Sequence, residues 1–442
     1  MGPGPRLARG SPGQPARGQP EGSPERGGPG QAVGRGTLTE WLGAAEAAAR
    51  LGIKPASLYS YVSRGVLTPR RGPDGRASLF DAAEIDGLAR RGRPRRAPGG
   101  TELVIESELT EISGDRLRFR GHDAIALATS RSFEDVASLL WTGSFADAAS
   151  PWHATAEAIA AGTAAQAALP PDTYPLERLQ VIVPAVAATD RLRLHLDPPA
   201  VITAARCLIA AMVDCLPPAA PGAAASDDSI AGRLAPKLCL GPPAEGLLGV
   251  LRSALVLLAD HELAASTLAA RVAASVRADP YAVVGTGLGA MSGALHGGAA
   301  LGAEVLLLSA SGPADAPRVV GELLRRGERI PGLGHFVYRT GDPRSVLLLD
   351  LIRKAAPRSD RLAVAEAVLA EAGRRALPAP NIEFALAVLA TVTGMIPGAG
   401  EAVFAVARTA GWLAHALEEY ARATPIRPRG VYTGQAATAG NQ

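Results

Sequence analysis

Met291-Ser292-Gly293-Ala294-Leu295-His296-Gly297-Gly298-Ala299 and Ile330-Pro331-Gly332-Leu333-Gly334-His335-Phe336-Val337-Tyr338 hold the two histidines that decide how this chain reads, and Asp342-Pro343-Arg344 closes the stretch. Each histidine stands beside glycine. Glycine has no Cβ, so backbone and ligand approach closely there and strained turns are allowed. An imidazole on such a turn can be aimed into a cleft, where it donates or accepts a proton near neutral pH. One histidine alone reads more readily as a helix cap or a satisfied core residue, because single motif matches carry false positives. Two glycine-flanked histidines followed by Asp-Pro-Arg point to a site instead.

Composition sets the outer limits. At 442 residues the chain has room for two or three domains and a sizeable core. Hydrophobic residues make up 47% and aromatics 4%; much of the apolar content is alanine and leucine, which favour helix. Lysine occurs only at Lys54, Lys237 and Lys354, so the basic residues are nearly all arginine. A net charge of +3 is small for this length and does not describe a chain that coats nucleic acid, although local clusters remain. Cys207, Cys215 and Cys239 show no CxxC or metal-ligand spacing; they read as small buried residues in a reducing compartment. No apolar run reaches the roughly eighteen residues of a membrane span, and the N-terminus lacks the apolar core of a secretory signal. A cytoplasmic location is expected.

Residues 1–36 are rich in glycine and proline and too poor in apolar side chains to offset their ordering entropy, which predicts a disordered tail. Residues 37–90 change character. Helices are expected over 44–51 and 56–63, separated by Gly52-Ile53-Lys54-Pro55. A basic hairpin tip follows at 70–76, then a third helix with Asp81 as N-cap. Helix, turn, helix, basic wing, helix is the layout of a winged helix-turn-helix, and the stretch resembles the small domains of MerR-type and excisionase-type proteins. In that reading Ser57, Tyr59, Ser60 and Arg64 lie on or beside a recognition helix, and Arg70, Arg71 and Arg76 meet phosphates of DNA. The same stretch also reads as a helical docking module kept for packing or dimer contacts. Residues 91–101, with four arginines before Pro98-Gly99-Gly100, read as a solvated basic linker.

The body runs from 102 to 442. Short strands are expected over 103–112 and 117–120, around Ser113-Gly114-Asp115. After His122 nearly everything reads as helix: 133–141, 176–188, 199–214, 244–258, 266–278, 302–308, 317–326, 345–354, 362–372, 382–393 and 402–420. Residues 217–228 read as a surface loop. Gly285-Thr286-Gly287-Leu288-Gly289 follows no convincing strand, so it reads as close helix packing rather than a nucleotide loop.

Leu295-His296-Gly297-Gly298, Gly332-Leu333-Gly334-His335 and Asp342-Pro343-Arg344 resemble the signature of the citrate synthase family. Other segments agree in order: Leu117-Arg118-Phe119-Arg120-Gly121-His122, Ala259-Asp260-His261-Glu262-Leu263 with Ala265-Ser266-Thr267, Ala407-Arg408-Thr409-Ala410-Gly411-Trp412, Arg427-Pro428, and Tyr432-Thr433-Gly434. Single pieces are weak; the ordered set is specific. The resemblance implies a mainly α fold, with large and small helical domains and a short N-terminal β hairpin, preceded here by the small winged helix-turn-helix domain. It implies that the small subdomain, about 290–386, closes over the larger one.

The same resemblance implies condensation of acetyl-CoA with oxaloacetate to citrate, with CoA as co-substrate and neither a permanent cofactor nor a metal. His296 then stabilises the acetyl-CoA enol, His335 polarises the oxaloacetate carbonyl, and His261 binds oxaloacetate. Arg344 and Arg408 pair with its carboxylates, and Arg427 matches an arginine that the family supplies across a homodimer interface. Arg325, Arg326 and Arg339 are candidates for the CoA phosphates. The base departs from the pattern: the family has aspartate in Asn-Val-Asp-Phe, whereas Asn381-Ile382-Glu383-Phe384 has glutamate. Intrinsic basicity hardly changes, since the two carboxyls differ by only about half a pKa unit. Position matters more, because a misplacement of about 1 Å can cost on the order of a hundredfold in rate. Ala264 is a second departure, standing where the family has asparagine. Two other readings stay open: 2-methylcitrate formation from propionyl-CoA, and a DNA-binding regulator that uses an inactive synthase fold to sense oxaloacetate or an acyl-CoA.

Overall fold

The computed structural model describes residues 41–51, 58, 62, 67–72, 78–86, 104–146, 151–338, 340–430 and 433, without the side chains of Arg71 and Glu245. The chain divides into two units, Met1–Glu102 and Leu103–Gln442.

In the first unit β1 (Trp41–Gly43) leads straight into α1 (Ala44–Leu51), followed by β2 (Arg70–Arg71) and β3 (Ser78–Asp81). The strands form an antiparallel sheet in the order β1-β3-β2, with Trp41 opposite Asp81 and Arg70 opposite Leu79. Residues 70–71 and 78–79 are therefore the two sides of a hairpin. Arg70 lies over the Trp41 ring, 5.4 Å from its centroid. Leu42, Ala47, Leu58, Leu67, Phe80 and Ile85 form a small separate core. The Asp81 carboxylate accepts from the Ala83 amide at 2.8 Å, capping the helical residues 82–86. Ser57, Tyr59, Ser60, Arg64 and Arg76 lie outside the described residues, as do the expected tail and the basic linker, and only the backbone of Arg71 is described.

The second unit opens with a small antiparallel sheet, β4 (Thr110–Ser113), β5 (Arg116–Phe119) and β6 (His122–Asp123). The expected hairpin gains a third short strand because Gly121, at φ 82°, turns the chain back so that His122 faces Phe119. The first strand begins only at Thr110, later than expected. Helices follow: α2 (Ala124–Ser130), α3 (Phe133–Thr142), α4 (Ala156–Ala164), α5 (Pro175–Ala187), α6 (Pro198–Asp214) and α7 (Ile230–Leu238). Next come α8 (Glu245–Leu258), α9 (Ala265–Ser275), α10 (Pro280–Met291), α11 (Gly298–Leu308) and α12 (Ala316–Arg325). The last four are α13 (Pro343–Ala355), α14 (Asp360–Arg374), α15 (Ile382–Thr393) and α16 (Ala399–Arg422).

Four of these, α2, α4, α7 and α10, escape the apolar-periodicity reading. The last shows why. It carries Gly285, Gly287 and Gly289, which weaken helix propensity, and tertiary packing overrides them. A Cβ on Gly287 would lie 2.6 Å from the Trp412 indole on α16, so the glycine run is close helix packing. Helix α16 is buried along nearly its whole length and packs against α3, α5, α6, α8, α9 and α10. A helix apolar on most sides belongs at the centre of a core.

One local rule is broken at the start of α9, where Ala264 occupies the N-cap with extended backbone (φ −53°, ψ 157°) and no side-chain acceptor. Ala264→Asn should supply that acceptor and stabilise the body by about 1 kcal/mol. Chemical denaturation checks this; an unchanged midpoint would show that these amides are already satisfied.

Candidate active site

Four helix ends and the middle of α16 supply the candidate residues: the α8–α9 junction brings His261, the α10–α11 junction His296, the first turn of α13 Arg344, the first turn of α15 Glu383, and α16 Arg408. The loop before α13 brings His335. Gly332 and Gly334 lie at φ 78° and 85°, and a Cβ on Gly332 would sit 2.7 Å from that of Phe384. Glycine alone lets the loop lie against α15. Asn381 then clamps it. Its amide donates to the Gly332 carbonyl at 2.9 Å and its Nδ2 to the Gly334 carbonyl at 2.9 Å. Its Oδ1 caps α15, accepting from the Glu383 and Phe384 amides at 3.1 and 3.3 Å. One side chain thus fixes both the His335 loop and the turn that carries Glu383.

His335 Nδ1 accepts from the Val337 and Tyr338 amides at 3.1 and 3.3 Å, so the imidazole hydrogen sits on Nε2. The Arg344 Nη2 stands 3.5 Å from that atom, adjacent rather than bonded. Burial, then the Arg344 charge, pushes the His335 pKa down to about 4. The ring is neutral at pH 7 and presents an N–H. His261 meets it edge-on at 5.3 Å and lies 3.0 Å, Nε2 to Oη, from Tyr338. Burial, with Arg344, Arg408 and His335 nearby, holds His261 well below the ordinary imidazole value.

Arg344 is buried against Asp342, donating from Nε and Nη2 at 2.9 and 2.8 Å. Asp342 also caps α13 through the Arg344 amide and accepts from the Ile382 amide, both at 3.0 Å, which ties α13 to α15. Burial alone would raise the Asp342 pKa; Arg344 reverses this and keeps it below the usual carboxylate range. Arg408 is also buried. Its Nε donates to the Leu258 carbonyl at 2.8 Å, its Cζ lies 4.7 Å from the Phe404 ring centroid, and its Nη2 has no partner among the described residues. Burial lowers its pKa to about 10, which still leaves it charged at pH 7. Glu383 Oε2 is likewise buried without a partner; burial raises this carboxyl above its ordinary value, against the pull of Arg344 and Arg408. Buried polar atoms left unpaired cost free energy until a ligand satisfies them. Arg408 Nη2 is such a donor and Glu383 Oε2 such an acceptor.

His296 Nε2 lies 2.7 Å from Ser266 Oγ, which accepts from Trp412 Nε1 at 3.3 Å. With the Ser266 hydroxyl hydrogen directed at Nε2, Nδ1–H is left to donate into the cleft. Burial, then Arg408, brings the His296 pKa down to about 4. The folded state thus resists protonating imidazoles that take up a proton near pH 6.5 in the unfolded chain. Between about pH 6.5 and about pH 4 the unfolded state binds more protons, so stability falls as pH drops. Tm should decline through that window, and less steeply in a His296→Gln/His335→Gln variant. Equal slopes would contradict this account.

A family profile described as "Citrate synthase, C-terminal domain" matches residues 100–429. The citrate synthase of Haloferax volcanii is 33% identical over 365 residues, covering 75% of this chain and 94% of that protein. The chain belongs to the citrate synthase family. It is an enzyme of that family. The citrate/2-methylcitrate synthase of Bacillus subtilis is 28% identical over 368 residues, covering 76% of this chain and 96% of that one. The fold is shared with the citrate synthase of Thermoplasma acidophilum, solved as a ternary complex with carboxymethyl coenzyme A and oxaloacetate. That match has a TM-score of 0.64 at 24% identity, and covers 77% of this chain and 97% of the other.

The structure of this family member brings His261, His296, His335, Arg344, Glu383 and Arg408 together. Arg427 does not join them: it is exposed beyond α16, and no hydrogen bond or ion pair ties it to the cluster. Arg325 and Arg326 are exposed at the end of α12, with Arg326 donating to Glu328 at 2.6 Å; Arg339 lies outside the described residues. Beside His335 opens a cavity of about 380 Å³ lined by Leu324, Arg329, Leu333, Phe336 and Pro378. Phe336 is 96% exposed. A larger cavity, about 690 Å³, lies between the α2–α3 junction, α8 and the end of α13 and contains none of these site residues. Ser266, Tyr338, Asn381 and Asp342 were not assigned roles from sequence. Each stands inside a quoted motif, yet its partner is remote or local in a way only the fold reveals.

Proposed function

We propose that the enzyme joins acetyl-CoA to oxaloacetate and releases citrate and CoA, the condensation that feeds the tricarboxylic acid cycle. The observation that carries this reading is the buried, unpaired Oε2 of Glu383 under the charges of the two buried arginines Arg344 and Arg408, in a site that also holds two neutral histidines. Glu383 takes a proton from the thioester methyl group. His296 Nδ1–H donates to the thioester oxygen as the enolate forms, the oxyanion stabilisation that usually dominates such steps. The enolate carbon bonds to the ketone carbon of oxaloacetate, and His335 Nε2–H faces the oxygen that gains charge there. Arg344, Arg408 and His261 hold the dicarboxylate; the arginine fork suits that task. Water then cleaves the citryl thioester.

The cavity beside His335, with exposed Arg325 and Arg329 nearby, suits the pantetheine and phosphates of CoA. Arg326 is the weaker candidate because Glu328 already engages it. Residues of about 290–386 close over the rest to exclude water. Arg427, exposed beyond α16, completes the partner's site in a homodimer. The N-terminal unit, about 37–90, is a MerR-like winged helix-turn-helix, a reading supported by the β2–β3 hairpin and the Asp81 cap. Among the described residues no helix is long and apolar enough to cross a membrane, which fits a cytoplasmic enzyme.

Propionyl-CoA is the second acyl donor to weigh, since relatives of similar identity bear both citrate and 2-methylcitrate synthase names. One methylene is worth only about 1–3 kcal/mol in a pocket. The ratio of kcat/KM for acetyl-CoA to that for propionyl-CoA, with the product identified, decides. A ratio above one supports citrate; a ratio below one assigns 2-methylcitrate.

A further inference from the structure

The turn that presents His261 is braced from behind by buried groups that the chemistry above does not use. Glu262, directly after His261, lies at φ 53°, a left-handed conformation that a glutamate rarely adopts. Asp260 holds it there. Its Oδ2 accepts from the Glu262 amide at 3.2 Å, from the Thr110 hydroxyl on β4 at 2.5 Å, and from His415 Nε2 at 3.3 Å. His415 Nδ1 in turn accepts from Arg271 Nη1 at 2.5 Å. Arg271 is anchored by Glu419 at 2.6 Å and Glu418 at 2.7 Å, and Glu418 also accepts from the Glu108 amide at 2.9 Å. Asp260, Arg271 and His415 are wholly buried. Helix α16 runs so close that a Cβ on Gly411 would lie 2.3 Å from Asp260 Oδ1, so Gly411 leaves room for this carboxylate.

We infer that Asp260 and His415 are positioning residues for oxaloacetate, fixing the His261 turn and placing a fixed negative charge beside Arg408. The inference rests on the synthase reading. Every donor in the chain points one way, Arg271 to His415 to Asp260. With Nδ1 occupied by the guanidinium, His415 keeps its hydrogen on Nε2 and cannot exchange roles. Burial alone would raise the Asp260 pKa, but His415, Arg408 and Thr110 hold it below the usual range, so the charge persists. That charge favours the ionised form of buried Arg408, whose Nη2 has no partner among the described residues.

The test uses the full chain and three variants. His415→Gln offers a carbonyl oxygen to Arg271 and an N–H to Asp260, preserving the direction; His415→Phe offers neither. Thr110→Val removes one bond at the sheet end. His415→Phe should raise Kd and KM for oxaloacetate by about 10- to 100-fold, with KM for acetyl-CoA within about threefold. His415→Gln should return oxaloacetate KM to within about fivefold of wild type, and Thr110→Val should raise it about three- to tenfold. Lowered Tm with unchanged oxaloacetate affinity in these variants would reduce the network to a structural brace and overturn the inference. If His415→Phe does not fold, an unchanged KM in Thr110→Val overturns it equally. Wild-type protein that fails to bind oxaloacetate contradicts the synthase reading and this inference together. Normal wild-type binding with unaffected variants contradicts this inference alone.

Discussion

Glu383→Gln should lower kcat about a thousandfold while leaving oxaloacetate bound. A positioned base supplies roughly 10²- to 10⁴-fold in proton transfer, and glutamine keeps the size and shape of the side chain while removing its basicity. The amide can keep the cap of α15 intact, because Asn381 Oδ1 bonds the backbone at 383 and 384 rather than the Glu383 side chain. Arg344 and Arg408, the arginines proposed to hold substrate, lie on other helices, so affinity for the dicarboxylate should survive. Glu383→Asp tests position alone. It withdraws the carboxylate by one methylene, and a shift of about 1 Å costs on the order of a hundredfold. A fall in rate means that glutamate is the working base and the surrounding backbone has adjusted to its length. A gain in rate means that the longer side chain is misplaced. The pH profile carries the same claim. Burial raises the Glu383 carboxyl above its ordinary 4.5, so kcat/KM should fall as pH drops through that raised value. No limb should appear near 6.5, because His296 and His335 stay neutral down to about 4.

Arg344→Ala should be the most damaging change to stability as well as to binding. The guanidinium is buried and makes two bonds to Asp342, whose carboxylate also holds the ends of α13 and α15. Removing one partner of a buried pair leaves the other charge uncompensated, a cost of about 3–5 kcal/mol. Oxaloacetate also loses a charge-assisted donor, so KM should rise about a hundredfold or more in whatever protein remains folded. The two effects separate in Asp342→Asn/Arg344→Gln. That pair is neutral and can still cap α13, so denaturation should show most of the lost stability restored while KM stays high. Restored affinity in the double variant would show that Arg344 does not hold substrate.

The sequence made the site legible where chemistry and backbone demand coincide. His296 and His335 stand beside glycines, and Gly332 proves to need both its positive φ and its missing Cβ. Helices 44–51 and 382–393 agree with α1 and α15 residue for residue, and in the second Asn381 and Gly394 mark both ends. The rest was hidden for physical reasons. Three glycines mask α10, and only Trp412, far away in sequence, explains them. Ser266 looks like any helix-start serine until the fold brings His296 to it. From sequence Asp260 is seen only to flank His261, which it could orient, and His415 and Arg271 look like ordinary charged helix residues, since their worth lies in bonds across 144 to 155 positions of chain.

Release of CoA thiol from acetyl-CoA by the purified chain, with and without oxaloacetate and beside Glu383→Gln, tests the central claim most directly. The account predicts release that requires oxaloacetate, yields citrate and falls about a thousandfold in the variant. Oxaloacetate binding without any thiol release, in wild type and Glu383→Asp alike, would contradict it.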